Sequence, residues 1–442
     1  MGATLASSLF AAEIRLDCRG FIDAALARDP RVLEESYSTE EKQAKIRQLK
    51  AAVILPKFEM NMAFGPTPGL TAGFDSQGDS IARWDFSKIG PYVGFDTKFA
   101  QPLNYGQYVT GLKAAKGDLA QKQWEIQGKR IERTVEFQRY YYGYVLALEL
   151  KRLSTEAARQ MQKAEDRIEE QLDEDEGKAS QDDLLQIKAG RFEVDKAVLE
   201  AANGFQKAEL AIRFSLGMKD SDVFVPADTL LLQRTEAIPP FDTLVVWMKS
   251  ASPELRRLQA GLDAKQSLVQ LEEEKLGPDF FLFGSFQYAK SWAANRQTLS
   301  QDAFLRDPVN VLTGSLGIGL KYKMNFWNTL QNVRKARVDY RQLKLKDAYA
   351  LDGLTMLLRQ QYNDWEMAQA KLESVRNSLR ASEALLKGVA MRFDVDPSEG
   401  SKLVDAYKRN ILMQKDFYFS VYQYNLSVAE LLAKVGLGTD VL

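Results

Sequence analysis

The sequence predicts a mainly α-helical chain that carries a transmembrane β-barrel contribution, laid out as a tandem repeat of two strands plus a long helical hairpin. Three observations lead there. Apolar residues recur at three- and four-residue steps over stretches far longer than an average globular helix. Of four strand-like segments of about ten residues, three alternate apolar and polar side chains and one is apolar on both faces. Short motifs of the first half return in the second at a constant spacing.

Composition sets the bounds. In 442 residues, 59 Lys and Arg nearly cancel 60 Asp and Glu, so the charge balance gives no footprint for a nucleic-acid partner. Without a histidine, and with Cys18 as its one cysteine, the chain lacks zinc motifs, Ser/His and Cys/His catalytic arrangements and any internal disulfide. We therefore expect no enzyme, no metal and no cofactor. No stretch approaches the ~18 consecutive apolar residues of a membrane helix, which leaves a soluble protein or a membrane β-barrel. Residues 1–12 are small and apolar, ending in Ala11-Ala12, and read as a residual signal segment that lacks a basic start. Arg15-Leu16-Asp17-Cys18 is a poor lipoprotein box, so Cys18 is expected to be a plain buried thiol.

The repeat fixes the organisation. Pro30 and Pro253, Pro56 and Pro278, and Asp183 and Asp405 each stand about 222 residues apart. Each half reads as a short helix, a proline, a second helix, a proline, two strands around a polar loop, then a helical hairpin. The first repeat spans 13–217, with strands at about 57–64 and 92–101 and a hairpin at 103–216. A linker of 218–240 follows, then a second repeat of 241–436, with strands at about 279–289 and 311–324 and a hairpin at 326–435, and a tail of 437–442.

The strands decide between water and membrane. Phe58, Met60, Met62 and Phe64 alternate with Lys57, Glu59 and Asn61; Leu316, Ile318 and Leu320 alternate with Ser315, Gly317 and Gly319. Asp279 to Tyr288 is apolar on both faces. The segments Pro66 to Asp85 and Ser291 to Pro308 read as polar loops. An ordinary half-buried sheet fits the alternation. Strands long enough to cross a tilted bilayer, with Trp84, Tyr92 and Trp292 near their ends, fit a barrel. Four strands cannot close a barrel, and an open edge cannot face lipid, so other copies of the chain must complete it.

The helices come next. An ascending arm from about Tyr105 to Leu172 would be on the order of 100 Å long. It carries Leu146, Leu150, Leu153, Ala157, Met161, Ala164 and Ile168 at coiled-coil spacing, and an acid-rich tip around Gly177 separates it from the return helix. Pro102 stands at the first strand-to-helix junction, where its fixed φ and missing donor suit a change of direction.

Taken together, Asp29-Pro30, Leu55-Pro56, Gln101-Pro102-Leu103 and the tip glycine followed by Asp183-Leu184-Leu185 resemble the TolC-type outer membrane efflux proteins over about residues 16 to 436. The resemblance implies a homotrimer with a 12-stranded barrel in outer membrane lipid. Helical hairpins would continue it as a periplasmic tunnel, the exit duct of a tripartite efflux pump or type I secretion system. It implies a periplasmic adaptor and an inner-membrane pump as partners, and a gate at the hairpin tips. On this chain the gate residues would be Asp405, Lys402, Arg392 and Asp394, and the adaptor-facing tip Gly177, Asp182, Asp183 and Gly400. Where some relatives carry a second acid the chain has Lys402, so a Lys402 to Asp405 pairing within or between chains, the two standing one helical turn apart, is an alternative to a double acidic ring. Asp405 also fits a charge favoured by a helix N-terminus, and the acid run fits a solvated loop. The competing reading of the whole chain is a non-membrane coiled-coil scaffold or adaptor.

Overall fold

A computed structural model describes residues 13–74, 77, 80–173, 180–294, 309–322, 324–395 and 400–438. The chain runs β1 (Glu13–Leu16), α1 (Cys18–Arg28), α2 (Pro30–Ile54), β2 (Lys57–Phe74), β3 (Ser80–Pro102), α3 (Tyr105–Asp173), α4 (Gln181–Leu216) and β4 (Val223–Pro226). It continues with α5 (Phe241–Ala251), α6 (Pro253–Glu274), β5 (Asp279–Ser291), β6 (Val311–Lys321), α7 (Phe326–Val395) and α8 (Gly400–Val435). The halves match element for element: α1 and α5 have 11 residues each, α4 and α8 have 36, and α3 and α7 have 69 and 70.

Local chemistry sets the helix ends. Asp17 caps α1 by accepting from the Gly20 amide at 2.8 Å. Asp29 accepts from the Arg31 amide at 2.9 Å, with Pro30 in the first helical position of α2, where its missing donor costs nothing. Gly217 and Gly436 end α4 and α8 with φ of 58° and 91°, a backbone that a side chain would strain.

The described residues form two compact units, one drawn from 13–38, 122–258 and 346–438, the other from 39–121 and 259–345. In the first, a core joins Phe21 and Ile22 of α1 to Phe137, Tyr141 and Tyr144 of α3, Ile212 of α4, and Val421 and Val428 of α8. The parallel pair of β1 and β4 lies against this core through Phe224, whose ring stands 5.2 Å from that of Tyr144. That pair was not expected: four-residue strands leave no periodicity to read, and the segment 218–240 carries one of them. Cys18 is half-buried beside Tyr142, and burial pushes its thiol up to about 12.

The second unit holds a four-stranded antiparallel sheet in the order β2-β3-β5-β6. The first two strands are far longer than the expected 57–64 and 92–101, and most of Pro66 to Asp85 is paired strand rather than loop. Pro66 and Pro68 are tolerated because β2 is an edge strand, and the register shifts between Pro68 and Gly69. Residues 92–102 of β3 also pair with β5, so the hairpin runs as a two-stranded ribbon beyond the shared sheet. Of Ser291 to Pro308, residues 295–308 lie outside the described residues.

Candidate functional site

Two places carry the functional argument, and the sheet is the first. Its ladders align Asn61, Asp96, Gln287 and Thr313 in one row and Glu59, Lys98, Ser285 and Ser315 in another, so one face is polar from edge to edge. Ser285 and Ser315 touch through their hydroxyls at 2.7 Å. The opposite face presents Phe58, Leu316 and Ile318, each 70% exposed or more. Large apolar side chains standing in rows outside a sheet mark a surface that something else covers. Both edge strands, β2 and β6, have one side unpaired among the described residues. Pro102 is the last residue of β3, and the turn after it is held by polar contacts: the Leu103 amide donates to the Phe280 carbonyl at 2.8 Å, and Asn104 binds Asp279 at 2.6 Å and the Phe280 amide at 2.8 Å.

The second place is a cluster in the first unit where four helices meet. Met161 and Ile168 of α3, Ile187 and Val194 of α4, Val389 and Phe393 of α7, and Leu403 and Val404 of α8 are all buried. Charged pairs tie the helices at its rim. Glu165, buried on α3, accepts from Arg191 at 2.6 Å; Lys188 reaches Glu169 at 2.9 Å; and Lys408 of α8 reaches Glu193 of α4 at 2.9 Å. Next to it, α3, α4 and α8 enclose an apolar cleft of about 370 Å³, lined by Leu150, Leu153, Val194, Ala197 and Ile411.

The expected gate residues on α7 and α8 fall near this cluster, and Asp182 and Asp183 stand at the start of α4. Asp405 is exposed between buried Val404 and Ala406, and lies on a stripe with Lys402, Arg409, Leu412, Asp416 and Phe419. Among the described residues Asp405 makes no ion pair, so the Lys402 to Asp405 alternative does not form within the protomer. A base placed N-terminal to an acid is the weaker orientation on a helix. Asp183 is occupied in a capping box: its carboxylate accepts from the Ser180 amide at 3.0 Å while its own amide donates to the Ser180 hydroxyl at 3.2 Å. Asp182 is exposed in the same first turn, Gly400 begins α8, and Arg392 is exposed near the end of α7. Gly177 and the side chain of Asp394 lie outside the described residues.

No protein-family model and no curated protein matches the sequence. Solved structures do. The open state of the MtrE outer membrane channel of Neisseria gonorrhoeae superposes with a TM-score of 0.73 at 13% identity, over 95% of this chain and 89% of that one. The CmeC outer membrane channel of Campylobacter jejuni gives 0.71 at 14% identity, over 95% and 85%. The chain has the outer membrane channel fold. The outer membrane protein VceC of Vibrio cholerae adds a match of 0.70 at 14% identity, over 96% of this chain and 97% of that one. The channel fold is thus the fold that the TolC-type motifs implied, carried here by a sequence that shares few residues with these structures. Phe281 and Phe283 are apolar residues on the polar face, and the sequence signals them only through the two-faced apolar run from Asp279.

Proposed function

We propose that this chain is one protomer of a homotrimeric channel-tunnel in the bacterial outer membrane, a passive exit duct rather than an enzyme. The observation that carries the reading is the sheet with two free edges and an exposed apolar face. Such an edge cannot stand in hydrocarbon, where each unpaired backbone group costs several kcal/mol. Three copies of four antiparallel strands close the edges into twelve, with the Phe58 and Leu316 face outward to lipid and the Asp96 and Lys98 face around water. The eleven residues of β6 suit a tilted bilayer crossing. A non-membrane scaffold would leave that apolar face in water.

The long helices would then form the periplasmic tunnel. On α4, Leu185, Phe192 and Leu199 are exposed at heptad spacing, which supports packing against another copy. An adaptor and an inner-membrane pump supply the energy, in an efflux pump or a type I secretion system, and the adaptor docks at the hairpin tips. Threefold symmetry would turn Asp405 into a ring of three carboxylates that concentrates negative potential in a narrow lumen.

Single-particle imaging of the protein in detergent tests this reading. A threefold particle with a short barrel and a helical stem supports it; a water-soluble monomer or rod overturns it.

A further inference from the structure

Phe281 and Phe283 break the polar face of the sheet. Strand alternation puts them on the same side as Asp279, Ser285 and Gln287, and the Ser285 to Ser315 hydroxyl contact fixes that side independently. Their partners across β6 are Gly319 and Gly317, and across β3 they are Pro102 and Ala100. Each ring leans over its glycine: a Cβ on Gly319 would meet Phe281 Cζ at 2.4 Å, and one on Gly317 would meet Phe283 Cζ at 3.1 Å. The two rings stand 5.9 Å apart at 49° to one another. The glycines thus give the rings a flat floor of backbone, and a residue with any side chain there would push them away. Both phenylalanines remain only half-buried. They form a small aromatic patch bordered by polar rows, next to the junction held by Asn104 and Asp279.

We infer that Phe281 and Phe283 are a binding patch for planar aromatic cargo on the inner wall of the channel, present three times around the lumen. The inference rests on the channel reading above, which turns this face inward. A flat aromatic solute can pack against the exposed part of these rings, and a positive charge on it adds attraction to the ring quadrupole. An aliphatic cation of similar charge gains little from the same surface. The patch therefore selects by shape and aromaticity where the neighbouring rows through Lys98 and Ser285 and through Asp96 and Gln287 present polar groups.

The test is single-channel recording of the purified trimer in planar bilayers, with rhodamine 6G as the planar aromatic probe and tetraethylammonium as the aliphatic control. Rhodamine 6G is expected to produce blocking events whose dwell time falls on the order of tenfold in F281L/F283L. Dwell times for tetraethylammonium should be the same in both proteins. The leucines keep apolar volume and remove the aromatic faces. Should the double variant fail to assemble, the wild type decides alone: no longer dwell for rhodamine 6G than for tetraethylammonium overturns the patch. A conducting wild-type pore with equal dwell times in the variant overturns the patch and leaves the channel standing; a wild type that forms no pore overturns both.

Discussion

Gly190 of α4 stands so close to Val404 of α8 that a Cβ at position 190 would lie 2.9 Å from Val404 Cγ1, and 3.2 Å from Met161 Cε of α3. Three helices share one tight contact, and the packing depends on the absence of a side chain there. Gly190→Leu should force these helices apart at a cost of about 1 to 3 kcal/mol, typical of overpacking. Hydrogen exchange and limited proteolysis of the purified protein should show faster opening of residues 187–194 and 403–410, with the sheet unaffected. Equal protection of these segments in the variant would remove the contact from the account.

Leu316 projects from β6 on the apolar face, 72% exposed. Replacing it with Arg places a charge on the surface assigned to lipid, at a cost of about 2 to 4 kcal/mol near the bilayer midplane. Membrane insertion into liposomes should drop sharply for Leu316→Arg, while Thr313→Arg, on the polar face, should insert normally. Equal insertion of the two variants would contradict the assignment of faces.

Asp405 is exposed on α8 one residue beyond the buried Val404. In the proposed trimer Asp405 contributes to a ring of three carboxylates, and on that reading Asp405→Ala should raise ion leakage through the reconstituted channel and lower its preference for cations. Unchanged conductance and selectivity in every state would take Asp405 out of the gate.

Asp29 caps α2 and pairs with Arg31 at 2.7 Å. The hydrogen bonds from Arg31 hold its carboxyl below the usual carboxylate range. The folded carboxyl is the stronger acid, so its contribution is present at pH above the unfolded value and is lost as pH falls through the lowered folded value. Asp29→Ala should therefore cost about 1 kcal/mol at neutral pH, and the gap in Tm from the wild type should shrink in acid. A gap independent of pH would mean that ionisation of Asp29 contributes nothing.

Glu149 behaves in the opposite sense. It is buried on α3, Arg152 stands 3.4 Å away, and burial raises its pKa despite that neighbour. Its folded form holds the proton more tightly, so the favourable contribution is complete below the unfolded pKa and is lost as pH rises through the folded one. Glu149→Gln should raise Tm at neutral pH and lose this advantage in acid, as thermal melts in detergent at two pH values would reveal.

The repeat, the long helices and the two-faced strands were legible in the residues, because each is a local pattern. Apolar steps of three and four along Leu146 to Ile168 require a helix with one buried stripe, and the alternation from Phe58 to Phe64 requires a strand with two unlike faces. The same locality explains what could not be read. Pro66 to Phe74 has poor strand chemistry, yet it pairs because Ser80 to Pro91 stands opposite. The short β1 exists only through β4, some two hundred residues away in the chain. Spacing placed Asp183 and Asp405 at matching points of the two halves; Ser180, three residues before it, draws the first into a capping box, while the second stays exposed between the buried Val404 and Ala406. In Phe281 and Phe283 the sequence showed apolar residues on an uncertain face; the cross-strand register set them over Gly319 and Gly317 on the polar face. Periodicity is a property of neighbours along the chain, whereas a partner across a ladder or a helix interface is chosen by the whole fold.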